Sequence, residues 1–236
     1  MNQYPLRLAA RLAVLLSLIP MPLTVAAQSQ SESQLDPPTQ AVMRIFERVT
    51  LTDPTQTFAI EVIVEEFETE SLAISYIDVS IQSYLKPVSL SDQCPGDPEL
   101  SDIGQITTPL VGDESIAIRV TMTYPPSLEH VQEISVIRST IMSRDGRFLS
   151  TVQGYALASD PIDDVANVAT QILADDWIHA SERLNQRDEM GRASLWARLP
   201  SLSEIPPGFA ILDEADVTDL VYADLVCPTP TASTQA

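Results

Sequence analysis

Asp175, His179 and Glu182 are the residues of this chain best spaced to do chemistry. Positions i, i+4 and i+7 share one face of a helix. Two carboxylates and an imidazole so arranged suit a metal site or an acid/base pair, with Trp177 beside them. The plainer reading, which the rest of the chain favours, is a solvated helix face carrying ordinary ion pairs. His130 is the only other histidine and stands in no motif, so a triad or a zinc site has little to draw on. Gly-x-Ser-x-Gly, His-Glu-x-x-His, Walker and dinucleotide patterns are absent. No catalytic residue, metal or cofactor is therefore assigned. A metal-dependent or acid/base enzyme using Asp175, His179 and Glu182 stands as the alternative to a non-catalytic domain.

Other charged groups invite similar weighing. Asp213, Glu214, Asp216 and Asp219 offer oxygen ligands to Ca²⁺, but without the glycine and ligand order of an EF-hand loop they read as a solvated acidic turn. Glu65, Glu66, Glu68 and Glu70 stand where a strand gives way to a helix, and negative charge suits a helix N-terminus. Arg144 and Arg147 flank an Asp-Gly turn in a chain rich in acids. They could receive a carboxylate or an anionic partner surface; otherwise they are exposed arginines that keep the turn soluble. Cys94 and Cys227 make an even count, which in an exported protein suggests a disulfide. A loop of that length would stabilise the fold by about 4–5 kcal/mol in the chain-entropy model.

Export is itself an expectation from the first residues. Arg7 and Arg11 precede a short apolar run, Leu12 to Ile19, and Val25-Ala26-Ala27 fits the small-residue cleavage rule. Residues 1–27 thus form a signal peptide, and Pro20 and Pro22 argue against an uncleaved anchor. Nothing later has the length and apolarity of a membrane span. The formal charge of −20 becomes −22 once Arg7 and Arg11 are removed, since no acid goes with them. Such acidity excludes a phosphate-backbone partner, which needs a positive footprint.

The elements that must position these groups follow from periodicity. Met43–Leu51 and Thr57–Phe67 make a first hairpin, the second strand alternating Phe58, Ile60, Val62 and Val64 with Ala59, Glu61, Ile63 and Glu65. From Glu68 to Leu85 the period changes to that of a helix, with Leu72, Ala73, Tyr76, Ile77, Ile81 and Tyr84 on one stripe. Val88–Val111, broken by Pro, Gly, Asp and Ser, is expected to be a long loop and a candidate recognition loop. Strands follow at Ile116–Tyr124, Glu133–Ser143 and Phe148–Leu157, the last two joined through Arg144-Asp145-Gly146-Arg147. Asp160-Pro161 opens a second helix, expected to run to about Leu184. Phe209–Leu212 is a short last strand at most. The sum is one α+β domain over residues 41–226, between a flexible lead-in (28–40) and a disordered tail (227–236). Its sheet is mainly antiparallel, with two principal helices packed on it, in the order β-β-α-β-β-β-α and an optional final strand.

Gly112-Asp113-Glu114, the Arg144-Asp145-Gly146-Arg147-Phe148 turn, Asp160-Pro161 and the Leu199–Phe209 stretch, with its Leu-Pro and Pro-Pro-Gly-Phe, resemble a pattern in uncharacterised exported bacterial proteins. The order of elements over residues 41–212 is in turn loosely similar to the PsbP/Mog1 architecture. The resemblance carries no catalytic residue across and implies a non-enzymatic domain. The expected function is therefore an exported, non-catalytic domain that binds a protein, an envelope component or a small ligand.

Overall fold

The computed structural model describes residues 37–85, 98–108, 110–126, 132–174, 195–196 and 198–218. Among the described residues alternating and continuous apolar runs build seven strands: β1 (Gln40–Arg48), β2 (Ala59–Glu66), β3 (Glu99–Ile106), β4 (Glu114–Tyr124), β5 (Ile134–Asp145), β6 (Phe148–Ala156) and β7 (Phe209–Asp216). They form one sheet in the order β3-β4-β5-β6-β2-β1-β7, with every pairing antiparallel. Helix α1 (Glu70–Leu85) follows β2, and α2 (Ile162–Ala174) follows β6.

The two helices cover opposite faces. Ala73, Tyr76 and Ile77 of α1 pack with Met43, Ile45, Ile118 and Leu149. Val165, Val168, Ala169 and Ile172 of α2 pack with Phe46, Ile60, Val62 and Val152. The domain is therefore a helix–sheet–helix sandwich, and its central strands are buried on both faces. That double burial moved β1 from its expected span: with Ala41, Met43 and Ile45 facing α1 and Val42 and Phe46 facing α2, no single alternation marks the strand.

Two further differences have local causes. The expected Val88–Val111 loop contains β3, an edge strand with Leu100 and Ile103 on the α1 face and Ile106 on the other. A bulge sets Asp102 and Ile103 against Val120 alone, and Asp102 takes a φ of 48°. The bulge breaks the period of two, so apolar residues recur every three positions and hide the strand. At the β5–β6 hairpin the loop is Gly146-Arg147, since Asp145 pairs with Phe148. Gly146 has a φ of 57° at the first loop position, as a type II′ turn requires.

Asp160 caps α2. Its Oδ1 accepts from the Ile162 N–H at 3.0 Å and from the Ser139 hydroxyl at 2.5 Å, and its Oδ2 pairs with Arg119 at 3.3 Å. The helix then lies close over β6, where a Cβ on Gly154 would collide with Val165 Cγ2. The proline-rich connector crosses the same face: Leu199 and Ile205 are buried there, and the Arg198 guanidinium stacks 3.7 Å from the Phe148 ring centroid.

Candidate functional site

The candidate metal or acid/base residues, Asp175, His179 and Glu182, lie outside the described residues, as do Cys94 and Cys227. The arginines of the hairpin do not. Arg144 falls on the α1 face of β5, opposite Glu114, and its side chain is only 9% exposed. It pairs with Glu70 at 2.9 Å, Asp113 at 3.4 Å and Glu114 at 3.5 Å, and donates to the Gly146 carbonyl at 3.1 Å. Arg147 pairs with Glu66 at 2.5 Å and remains 42% exposed. Arg144 is therefore not an exposed receptor for a partner's anion. It ties the start of α1 to the β4–β5–β6 corner, because the helix N-terminus carries Glu70 directly to it.

On the α1 face of the sheet runs a row of polar side chains, of which the strand periodicity singles out Glu61 alone. Glu61 on β2 stands opposite Gln153 on β6, which stands opposite Thr140 on β5. One row on, Ala59, Tyr155 and Arg138 follow in the same order. Glu61 is 3% exposed and Arg138 4%. The Tyr155 hydroxyl lies 3.3 Å from Gln153 Oε1 and 3.5 Å from Glu61 Oε2, so one proton serves two acceptors. Burial pushes the Glu61 carboxyl up to about 7, against the pull of Arg138 first and the Tyr155 hydroxyl second.

Glu65, four residues on, lies between Ala41 and Leu149 and is also buried. Burial lifts its carboxyl to about 7, opposed by a hydrogen bond from Tyr76 of α1. Groups that titrate near neutrality suit proton transfer, but a carboxyl this enclosed meets no bulk solute without movement of α1. The available signal in the sequence was Glu61 between Ile60 and Val62 and Glu65 after Val64; only the position of β2 in mid-sheet makes both faces dry.

A third region lies at the β7 edge. Of the acidic turn expected at Asp213, Glu214, Asp216 and Asp219, the first three are part of β7, paired to β1, and Asp219 lies outside the described residues. Glu214 forms an ion pair with Arg44, whose guanidinium also donates to the Pro200 carbonyl at 2.6 Å. A bulge makes Leu212 the extra residue opposite the Ile45–Phe46 step. Ile211 is 40% exposed and Leu212 45%. Val49 donates its N–H to the Gly208 carbonyl and is 67% exposed. Leu202, 47% exposed, follows two residues after Pro200. Of the large exposed apolar side chains among the described residues, Ile211 and Leu212 lie on β7 and Val49 beside its start, Leu202, Ile74 and Leu110 being the others. Among the described residues no group of His, Cys, Asp and Glu is disposed to hold a metal ion, and no helix is long and apolar enough to cross a membrane.

No family model matches the chain, and no curated protein matches it. A crystal structure of a protein of unknown function from Pseudomonas aeruginosa is similar over 70% of this chain and 88% of that one, at 11% identity and a TM-score of 0.28.

Proposed function

We propose that this chain is an exported, non-catalytic domain that binds a protein partner through the β7 edge. The observation that carries the reading is the exposure of Ile211 and Leu212 on β7, with exposed Val49 bonded to the Gly208 carbonyl just before that strand. Exposed apolar side chains beside charged ones are what a protein contact offers before it is covered. The layer between α1 and the sheet holds packed side chains, including Tyr76, Ile77 and Phe67, so an outer surface asks less of the fold than an internal ligand. The arginines among the described residues are turned to the domain's own acids, carbonyls and rings, as Arg44, Arg48, Arg119, Arg144 and Arg147 illustrate. The surface left to a partner is therefore acidic and apolar.

The test is a photo-cross-linking side chain placed at Val49 or Leu202 of the full chain in its own host. A discrete protein cross-link that is lost in Ile211→Ser/Leu212→Ser supports the reading. The same cross-link from a probe at Ile74, or none from Val49 and Leu202, overturns it.

A further inference from the structure

We propose that Asp145-Gly146 is a site of spontaneous isomerisation to isoaspartate, and that Asp113 is the positioning residue that keeps it closed in the folded chain. The reaction needs only the dipeptide and water. The Gly146 amide nitrogen attacks Cγ of Asp145 and gives up its proton. The N–Cγ bond forms as a carboxyl C–O bond breaks, and water leaves. Water then opens the succinimide ring at either carbonyl. One opening restores aspartate; the other leaves isoaspartate, whose main chain runs through Cβ and Cγ. Glycine suits the attack because no Cβ shields its nitrogen. The state of Asp145 suits it too. Asp145 is half-buried at the end of β5. Burial first, then the Asp113 carboxylate, raise its carboxyl above the ordinary value, against the pull of Arg198 and Arg144. A protonated carboxyl departs as water more readily than a carboxylate can.

The fold opposes the reaction by position. Intramolecular attack is fast only from a conformer that brings the reacting atoms face to face. Asp145 is held in the extended backbone of β5 by its pairing with Phe148. Gly146 lies in the loop, and its N–H donates to Asp113 Oδ2 at 2.9 Å. Asp113 is itself anchored: its own N–H donates to the Arg144 carbonyl at 2.8 Å, and the same Oδ2 lies 3.4 Å from Arg144 Nη1. One residue thus clamps the chain on both sides of Asp145. Beyond the loop, the Phe67 N–H donates to the Arg147 carbonyl at 3.0 Å. Turning the Gly146 nitrogen toward Cγ takes its N–H off Asp113, so the clamp and the reaction exclude each other. Isoaspartate would add a main-chain carbon where Asp145 meets Phe148, and the hairpin could not regain that register. A chain whose corner had opened would carry a lasting chemical mark.

The experiment ages the full chain at neutral pH, folded and in urea, and reads isoaspartate at position 145 by fragmentation mass spectrometry. The folded chain should isomerise at least about tenfold more slowly than the unfolded one, and Asp113→Ala should restore most of that rate. Two variants separate the clamp from general loosening of the corner. Asp113→Asn keeps an acceptor for the Gly146 N–H, and Glu70→Gln removes a partner of Arg144 while leaving Asp113 in place. Both should stay within about threefold of the parent. Equal rates in the folded and unfolded chain, a parental rate in Asp113→Ala, or a slower one there, as if the carboxylate were a base for the attack, would each overturn the assignment. Should Asp113→Ala fail to fold, hydrogen exchange of the Gly146 amide in the parent decides. Protection beside slowed isomerisation supports the clamp, and exchange at the unfolded rate overturns it.

Discussion

Raising the pH through 7 should loosen the layer between α1 and the sheet, and Glu65 is the side chain that reports it most simply. Its carboxyl is buried between Ala41 and Leu149, and Tyr76 is the one group that pulls it back toward its ordinary value. Burial raises it from 4.5 to about 7. Between those values the folded chain keeps a proton that the unfolded chain has lost. The stability this contributes is complete below the unfolded value and disappears as pH rises through the folded one. At 1.36 kcal/mol per unit the whole window is worth roughly 3 kcal/mol, most of which falls between pH 5 and pH 8. The assay is urea unfolding of the full chain and of Glu65→Gln across that range. The amide cannot ionise, so the difference in stability between the two proteins should shift by about 2–3 kcal/mol in favour of Glu65→Gln as pH rises, whatever the many surface acids do to both. A difference that stays flat would refute the reasoning, because it would mean that the carboxylate is solvated and ionised in the folded state. Amide exchange in α1 should quicken over the same interval, and more in the unsubstituted chain than in Glu65→Gln, where Glu61 alone still titrates in that layer.

Other substitutions test how the frame is held. Gly154→Ala should cost about 1–3 kcal/mol in thermal unfolding, because the new Cβ meets Val165 under α2. Arg144→Ala should cost about 1–3 kcal/mol, and Arg144→Lys should recover only part of it, since one ammonium cannot span Glu70, Asp113, Glu114 and the Gly146 carbonyl. Asp160→Ala should cost about 1–2 kcal/mol by removing the cap of α2, whereas Asp160→Asn, which keeps an acceptor for Ile162, should lie within about 1 kcal/mol of the parent in the same measurement.

The mixed architecture was legible because its signals are local. Alternation over Ile116–Tyr124 needs nothing beyond neighbouring residues, and neither does the Asp160-Pro161 cap with the Val165, Val168, Ala169 and Ile172 stripe. The positive φ that Gly146 supplies is equally local, although the loop register slipped by one residue. Where long-range pairing sets the answer, sequence alone could not supply it. β3 is a strand only because β4 offers an edge, and its bulge erases the period that would have announced it. Arg144 resembles an exposed turn residue until α1 brings Glu70 over it.

The same holds for the groups to which function is assigned. The acidity and the apolar run at Phe209–Leu212 are properties of composition. That they form the last strand of the described sheet depends on the pairing of β7 with β1. Glu61 and Glu65 are ordinary polar members of an alternating strand by sequence. Their protonation near neutrality comes from burial in mid-sheet beneath a helix, because a carboxyl's affinity for its proton is set by the water it has lost, and that loss exists only once the layers have packed.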